Sequence, residues 1–308
     1  MMRFQGFCCA IVLLFSSVVQ AETAGWTLFN KVQNAVKEYN FDASFVVLKG
    51  SQVDTYRWLH GKSDQQEIEH LIPLDTNGVD ILRRNESIYY LLSERPAFVL
   101  SGHTITELPA ILFESQAKLA VLYNAVPGSS SVMSGRSAQL LRLTAKQPNR
   151  YHYWLWLDSE TGFPLRIDTL SEQQAPLERW LVTHMQISSE LPENLQALLN
   201  ADLPKPNAGS VKLMPQSQQK LTWLPDSFQI VKQPAAIPQL ESSLQSYWLL
   251  SDGLHQVSVF VQPSKGVPTQ AYRDGATTIF VQNTASLEVT VIGPVSIDVA
   301  RQLAAGVK

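Results

Sequence analysis

The chain has 308 residues, with 24 Lys and Arg against 27 Asp and Glu for a formal charge of −3, and 45% of it is hydrophobic. That hydrophobic share suffices for a core, and the length suits about two domains. Lysines and arginines are scattered rather than striped along one element, which argues against a nucleic-acid partner.

Met1, Met2 and Arg3 make a short positive start. Phe4 to Val19 are almost wholly apolar, and Val19-Gln20-Ala21 puts small residues where a signal peptidase reads. Residues 1–21 are therefore expected to be a cleaved signal peptide, with the mature chain starting at Glu22. The run is shorter than the ~18 apolar residues of a membrane span, and no later run approaches that length, so the expected product is soluble and exported. Cys8 and Cys9 precede most of the apolar run, where a lipidated cysteine would leave no signal to remove. They are the only cysteines and leave with the signal, so the mature chain must hold itself together without disulfides or Cys-based zinc.

Trp26, Phe29, Val32, Val36 and Tyr39 recur at three- and four-residue spacing and predict an amphipathic opening helix. The period then changes to two. Strands are expected near 41–49, 52–60, 65–74, 79–84, 87–93 and 98–105, with Asn77-Gly78 as a hairpin turn, which describes an antiparallel meander. A helical passage with Leu108, Leu112, Leu119, Leu122 and Tyr123 interrupts them, followed by an expected loop at GSSSVMSG. Strands resume near 132–145, 151–158, 164–171 and 177–188, and PENLQALLN reads as a short helix with Pro192 in its first turn.

LPKPNAGSVKLMPQSQQK lacks periodicity and reads as a linker over 204–219, dividing a first domain at 22–203 from a second at 220–308. In the second, Asp252-Gly253 between YWLLS and LHQVSVFV is a hairpin signal. Strands at TTIFVQ and LEVTVI follow, then a helix with Val295, Val299, Leu303 and Val307 on one face: a small sheet covered by a helix.

One stretch resists this pattern. In YHYWLWLD, Tyr151, Tyr153, Leu155 and Leu157 share one strand face, and His152, Trp154, Trp156 and Asp158 the other. Both faces are apolar, so something must cover the second face or bind to it.

Signs of catalysis are missing. There is no HExxH, no GxSxG and no phosphate loop. His60, His70, His103, His152, His184 and His255 form no HxH or HxxxH pair, and Glu67 and Glu69 read as solvated strand residues. The chain is expected not to be an enzyme and to use no metal or cofactor.

WLWLDSETGFPLRID resembles the strand-turn-strand signature of the RseB/MucB family and, more loosely, of periplasmic lipoprotein carriers. The resemblance extends to FDASFVVLKG, VDILRRNESIYYL and ELPAILF, then to WLPDSF, YWLLSDGLHQVSVFV and the closing VTVIGPVSIDVARQLAAGVK. Ser227, where the family more often has Gly, and His255 depart from the pattern beside turns. The resemblance implies a half-open antiparallel β-barrel with helices on its concave side, joined to a small α/β domain. It also implies a periplasmic regulator that binds the periplasmic domain of a membrane-spanning anti-sigma factor, protects it from regulated proteolysis, and releases it on sensing lipid, lipopolysaccharide fragments or mislocalised lipoprotein. A lipid or lipoprotein carrier is the alternative, and the oligomeric state is left open.

Large apolar side chains in the half-barrel segments give the candidate lipid-lining set Trp58, Tyr89, Leu91, Leu112, Leu122, Tyr123, Tyr153 and Trp156. In the second domain, Tyr247, Trp248, Leu250, Val257 and Val259 put apolar residues on both faces of a hairpin with one helix to cover it, and form the candidate partner-binding set.

Overall fold

The computed structural model of the chain describes residues 6–63, 66–75, 78–92, 97–203, 219–226, 228–231 and 244–308, with side chains from residue 22 onward. Asn77 of the expected turn, Ser227 and nearly all of the expected linker lie outside the described residues.

Helix α1 (Gly6–Glu38) contains the predicted opening helix and the expected signal-peptide junction. Its stripe of Trp26, Phe29, Val32, Ala35 and Val36 is buried. Gly25 permits the close seat: a Cβ there would come within 2.1 Å of the Ala125 carbonyl oxygen.

The meander that follows comprises β1 (Asn40–Lys49), β2 (Gln52–Lys62), β3 (Glu67–Pro73), β4 (Asp80–Arg84), β5 (Ser87–Leu91) and β6 (Phe98–Ser101). A 3-10 turn (Ala110–Leu112) and helix α2 (Gln116–Leu122) lead into β7 (Tyr123–Met133), β8 (Arg136–Ala145), β9 (His152–Asp158), β10 (Pro164–Leu170) and β11 (Pro176–Ser188). Together they make one antiparallel sheet of eleven strands in the order β6-β5-β4-β3-β2-β1-β11-β10-β9-β8-β7. β6 and β7 end the sheet without pairing to each other, so the barrel is open, as expected.

Period-two alternation sends Phe41, Ala43, Phe45 and Val47 of β1 to the inner face, where they meet Trp58, Leu71, Tyr153, Leu155, Trp180 and the buried stripe of α1 in the main core. α1, the 3-10 turn and α2 all contribute to that core. Helix α3 (Glu193–Leu199) does not: it packs Leu195 against Leu59, Ile68, Leu82 and Tyr89, which alternate away from the inner-face residues of β2 to β5. The helices thus lie on both faces, because the apolar residues on the outer face of these strands need a cover of their own.

The second face of YHYWLWLD is covered locally rather than by a helix. Trp154 and Trp156 cluster with Leu140, Leu165 and with Met133 from the end of the β7 to β8 hairpin. The Arg166 guanidinium lies 4.2 Å from the Trp156 ring centroid, and Arg166 and Arg179 both bind Asp168. An apolar strand face is thereby partly covered by the Arg166 guanidinium, which Asp168 anchors.

GSSSVMSG is not a loop throughout: Gly128 to Met133 belong to edge strand β7, with a bulge between Pro127 and Ser130, and only Ser134-Gly135 turn. Pairing with β8 overrides the low strand preference of Ser and Gly, and Gly128 lies where a Cβ would meet Leu140 at 2.6 Å.

The second sheet has six strands, β12 (Gln229–Ile230), β13 (Ser246–Ser251), β14 (Gln256–Pro263), β15 (Gln270–Asp274), β16 (Thr277–Asn283) and β17 (Leu287–Gly293), in the order β12-β13-β14-β17-β16-β15. β12 and β15 were not expected. The hairpin joining β15 to β16 turns at Gly275-Ala276, with Gly275 at φ 57, glycine at the first turn position as a tight two-residue turn favours. Helix α4 (Ile297–Ala305), capped by Ser296 accepting from the Val299 amide, covers one face with Val299, Ala300, Leu303 and Ala304.

Candidate functional site

Two clusters of contacts join the sheets. At the first, Arg150 before β9 forms an ion pair with Asp252 in the β13 to β14 turn, their side chains only 3% and 2% exposed. Asp252 Oδ1 also accepts from the amides of Leu254 at 2.8 Å and His255 at 2.6 Å, which fixes the carboxylate on its own turn. The His255 Nδ1 faces Asp252 Oδ2 at 3.4 Å, and the Tyr153 hydroxyl lies 2.5 Å from His255 Nε2. Burial opposes the charge on Asp252, yet His255 and Arg150 hold its carboxyl well below the usual carboxylate range. Leu254, next in the turn, packs on the main core of the first sheet.

At the second cluster the β15 to β16 turn meets β1 and β11. Lys49 Nζ lies 3.7 Å from Asp274 Oδ2. Burial raises the Glu178 carboxyl above its ordinary value, against the opposing pull of Lys49 and a bond from the Ala276 amide.

Between the clusters lies a cavity of about 330 Å³. Its inner wall sets apolar Val47, Tyr56, Ile167 and Trp180 from the strands and Ile111 from the 3-10 turn beside polar Lys49, Glu107 and Glu178. Its outer wall comes from the second sheet: His255, Ala276, Thr277 and Pro294. Trp180 keeps its Nε1–H buried with no acceptor among the described residues, at a cost of roughly 1–3 kcal/mol. A larger cleft of about 620 Å³ lies between α3 and the β1 to β11 pair, but Asp42, Arg57, Glu190 and Glu193 line it, a poor setting for an apolar guest.

Of the eight candidate lining residues, only Tyr153 lines this cavity. Trp58, Leu112, Leu122 and Tyr123 share the inner-face core with it. Tyr89 and Leu91 lie under α3, and Trp156 lies under Arg166, so the eight do not form one wall. Size and hydrophobicity selected them, but strand parity decides the face. Val47 and Trp180 follow from the same alternation that identified Phe41; the residues from the second sheet carry no local signal.

The candidate partner set also divides. Trp248, Leu250, Val257 and Val259 form the core beneath α4 and are not exposed. Tyr247 points the other way, its ring 5.1 Å from that of Phe260. In register on that side stand Phe260, Thr290 and Val281, and beside them Ser258, Ile292, Ile279 and Tyr272, the last 62% exposed. This face, opposite α4, is the broad apolar surface of the second sheet.

Among the described residues no helix is long and apolar enough to cross a membrane, and no group of three or more His, Cys, Asp or Glu is placed to hold a metal. An open half-barrel with a partly apolar cavity, joined through the buried Arg150–Asp252 pair to a smaller sheet with one apolar face uncovered by its helix, defines a two-domain binding protein. Family models carry this further: residues 25–202 match the MucB/RseB N-terminal domain and residues 214–308 the MucB/RseB C-terminal domain. The chain belongs to the MucB/RseB family. It is 26% identical over 306 residues to the sigma-E factor regulatory protein RseB of Salmonella typhimurium, covering 97% of this chain and 95% of that protein. To the sigma factor AlgU regulatory protein MucB of Pseudomonas aeruginosa it is 25% identical over 300 residues, covering 94% and 91%. The solved Pseudomonas aeruginosa MucA/MucB complex matches in fold with a TM-score of 0.69 at 23% identity, covering 92% of this chain and 98% of that one.

Proposed function

We propose that the mature chain is a periplasmic, non-catalytic regulator of an envelope-stress sigma factor. It binds the periplasmic segment of a membrane-spanning anti-sigma factor, shields that segment from the first proteolytic cut, and releases it when an amphiphile occupies the cavity. The observation that carries the reading is the family match over both domains, with relatives named as sigma-factor regulators and a relative solved in complex with MucA(peri). A lipoprotein carrier would not need the second domain. The docking surface belongs on the uncovered face with Tyr247, Phe260 and Ile279, since the other apolar side chains of the hairpin are spent on the core.

The cavity suits the sensing step. It lies near the small end of the usual range of ligand pockets and pairs aliphatic and aromatic groups such as Val47, Ile167 and Trp180 with polar ones such as Lys49, Glu107 and Glu178, which suits an amphiphile with a polar head. About ten buried methylenes at ~0.8 kcal/mol each contribute roughly 8 kcal/mol, enough to offset common association costs.

Isothermal titration of residues 22–308 with the anti-sigma factor's periplasmic segment, with and without a fluorescent fatty acid, tests this. Tight binding that weakens as the probe fills the protein is the expected result. No binding of the segment would overturn the regulator reading; binding indifferent to the probe would overturn the sensing step.

A further inference from the structure

The cavity has one wall from each domain, so its closure depends on how they are held together. The hold is ionic and dry at one end. Arg150 and Asp252 are almost fully buried, Asp252 is fixed by the amides of its own turn, and His255 relays the contact to Tyr153, itself a cavity residue. At the other end the β15 to β16 turn rests on Lys49 and Glu178. A buried ion pair adds little net stability but tolerates little displacement, because a partly parted pair is neither solvated nor matched. An apolar contact can slide; this one is either docked and dry or parted and wet.

The geometry points to a latched lid: the second domain closes the cavity, Arg150–Asp252 and Tyr153–His255 form the latch, and an amphiphile enters only when the latch opens. The inference rests on the amphiphile reading above and assigns it a gate. His255, Ala276, Thr277 and Pro294 form the wall that the lid contributes, and all of them move with the second domain. A guest too long for about 330 Å³ cannot be housed with the latch shut, so its binding and domain docking oppose each other. The signal then reaches the second domain, where the proposed partner surface lies, without any change inside either sheet.

The test uses residues 22–308, whose sequence contains no cysteine. Asp252→Asn removes the latch charge at nearly constant shape, and His255→Phe removes the acceptor for Tyr153. Lys49→Cys with Asp274→Cys, joined by a short bismaleimide, ties the lid shut at the other end. Stopped-flow uptake of a fluorescent acyl probe should quicken about tenfold in Asp252→Asn and His255→Phe, the rate ratio expected if each raises the open population by about 1.4 kcal/mol. Uptake should slow by a similar factor when the double-cysteine variant is cross-linked, relative to the same variant before cross-linking. Small-angle scattering without probe should show a larger radius of gyration in the two latch variants, with near-UV circular dichroism confirming that each is folded. Equal uptake rates in all forms would overturn the lid while leaving the cavity a binding site. Uptake by none of them, with the latch variants opened in scattering, would overturn the amphiphile reading and the gate that rests on it.

Discussion

Phe260 and Val259 are neighbours on β14 with opposite fates, and replacing each by Asp separates docking from folding. Val259 is fully buried beneath α4, so a carboxylate there has no partner and costs several kcal/mol, enough to unfold a sheet of this size. Phe260 is only half-buried on the other face, with the Tyr247 ring 5.1 Å away. Losing that ring pair costs about 0.5–1.5 kcal/mol, and Asp in a strand costs up to about 1 more, so Phe260→Asp should stay folded. A central aromatic in a docking surface is typically worth about 2–4 kcal/mol of affinity, which is roughly a 30- to 1,000-fold rise in Kd. Ile279→Asp, two strands away on the same face, should behave alike at smaller amplitude. Near-UV circular dichroism and titration with the anti-sigma factor's periplasmic segment read both effects. Folded Phe260→Asp and Ile279→Asp proteins that bind within threefold of wild type would refute the assignment of this face to the partner.

Four other substitutions probe the first domain. Arg83 pairs with Glu69, their side chains 4% and 1% exposed, and Glu69 also accepts from Trp58 Nε1, so Arg83→Met strands a buried carboxylate and should cost about 3–5 kcal/mol. Arg57→Gln breaks the more open Arg57–Asp42 pair, 36% and 25% exposed, and should cost less than about 1 kcal/mol; equal losses in melting temperature would contradict this. Glu178, raised by burial, is penalised when ionised in the folded state, and that penalty fades as pH falls through its folded pKa. Glu178→Gln should therefore raise the urea midpoint at pH 8 and change it little at pH 4, where a uniform shift at both would count against the argument. Burial opposes ionisation of Glu67 too, but bonds from His60 and Arg83 hold it at about 2, so its contribution is present above the ordinary carboxylate range and lost on acidification. Glu67→Gln should flatten the acid limb of the stability curve between about pH 5 and pH 2, measured by urea melts at successive pH values.

The sequence alone determined what repeats along the chain. The three- and four-residue spacing from Trp26 to Tyr39 and the stripe of Val295, Val299 and Leu303 fixed two helices, and period-two runs such as Phe41 to Val47 fixed the strands. These signals survive because each is set by neighbours within a turn or two. The order and spacing of the motifs were equally legible, and pointed to the family. Parity, however, gives two faces without saying which is inner, so the sequence could not tell whether Tyr153 or Trp156, or Tyr247 or Trp248, faces the core. That choice was made by α1, α3 and α4 as they docked. The cavity and its latch were further out of reach: Arg150 meets Asp252, and Tyr153 meets His255, across 102 residues each. Contacts at such separation leave no periodicity in the chain, because they exist only once two independently formed sheets have come together.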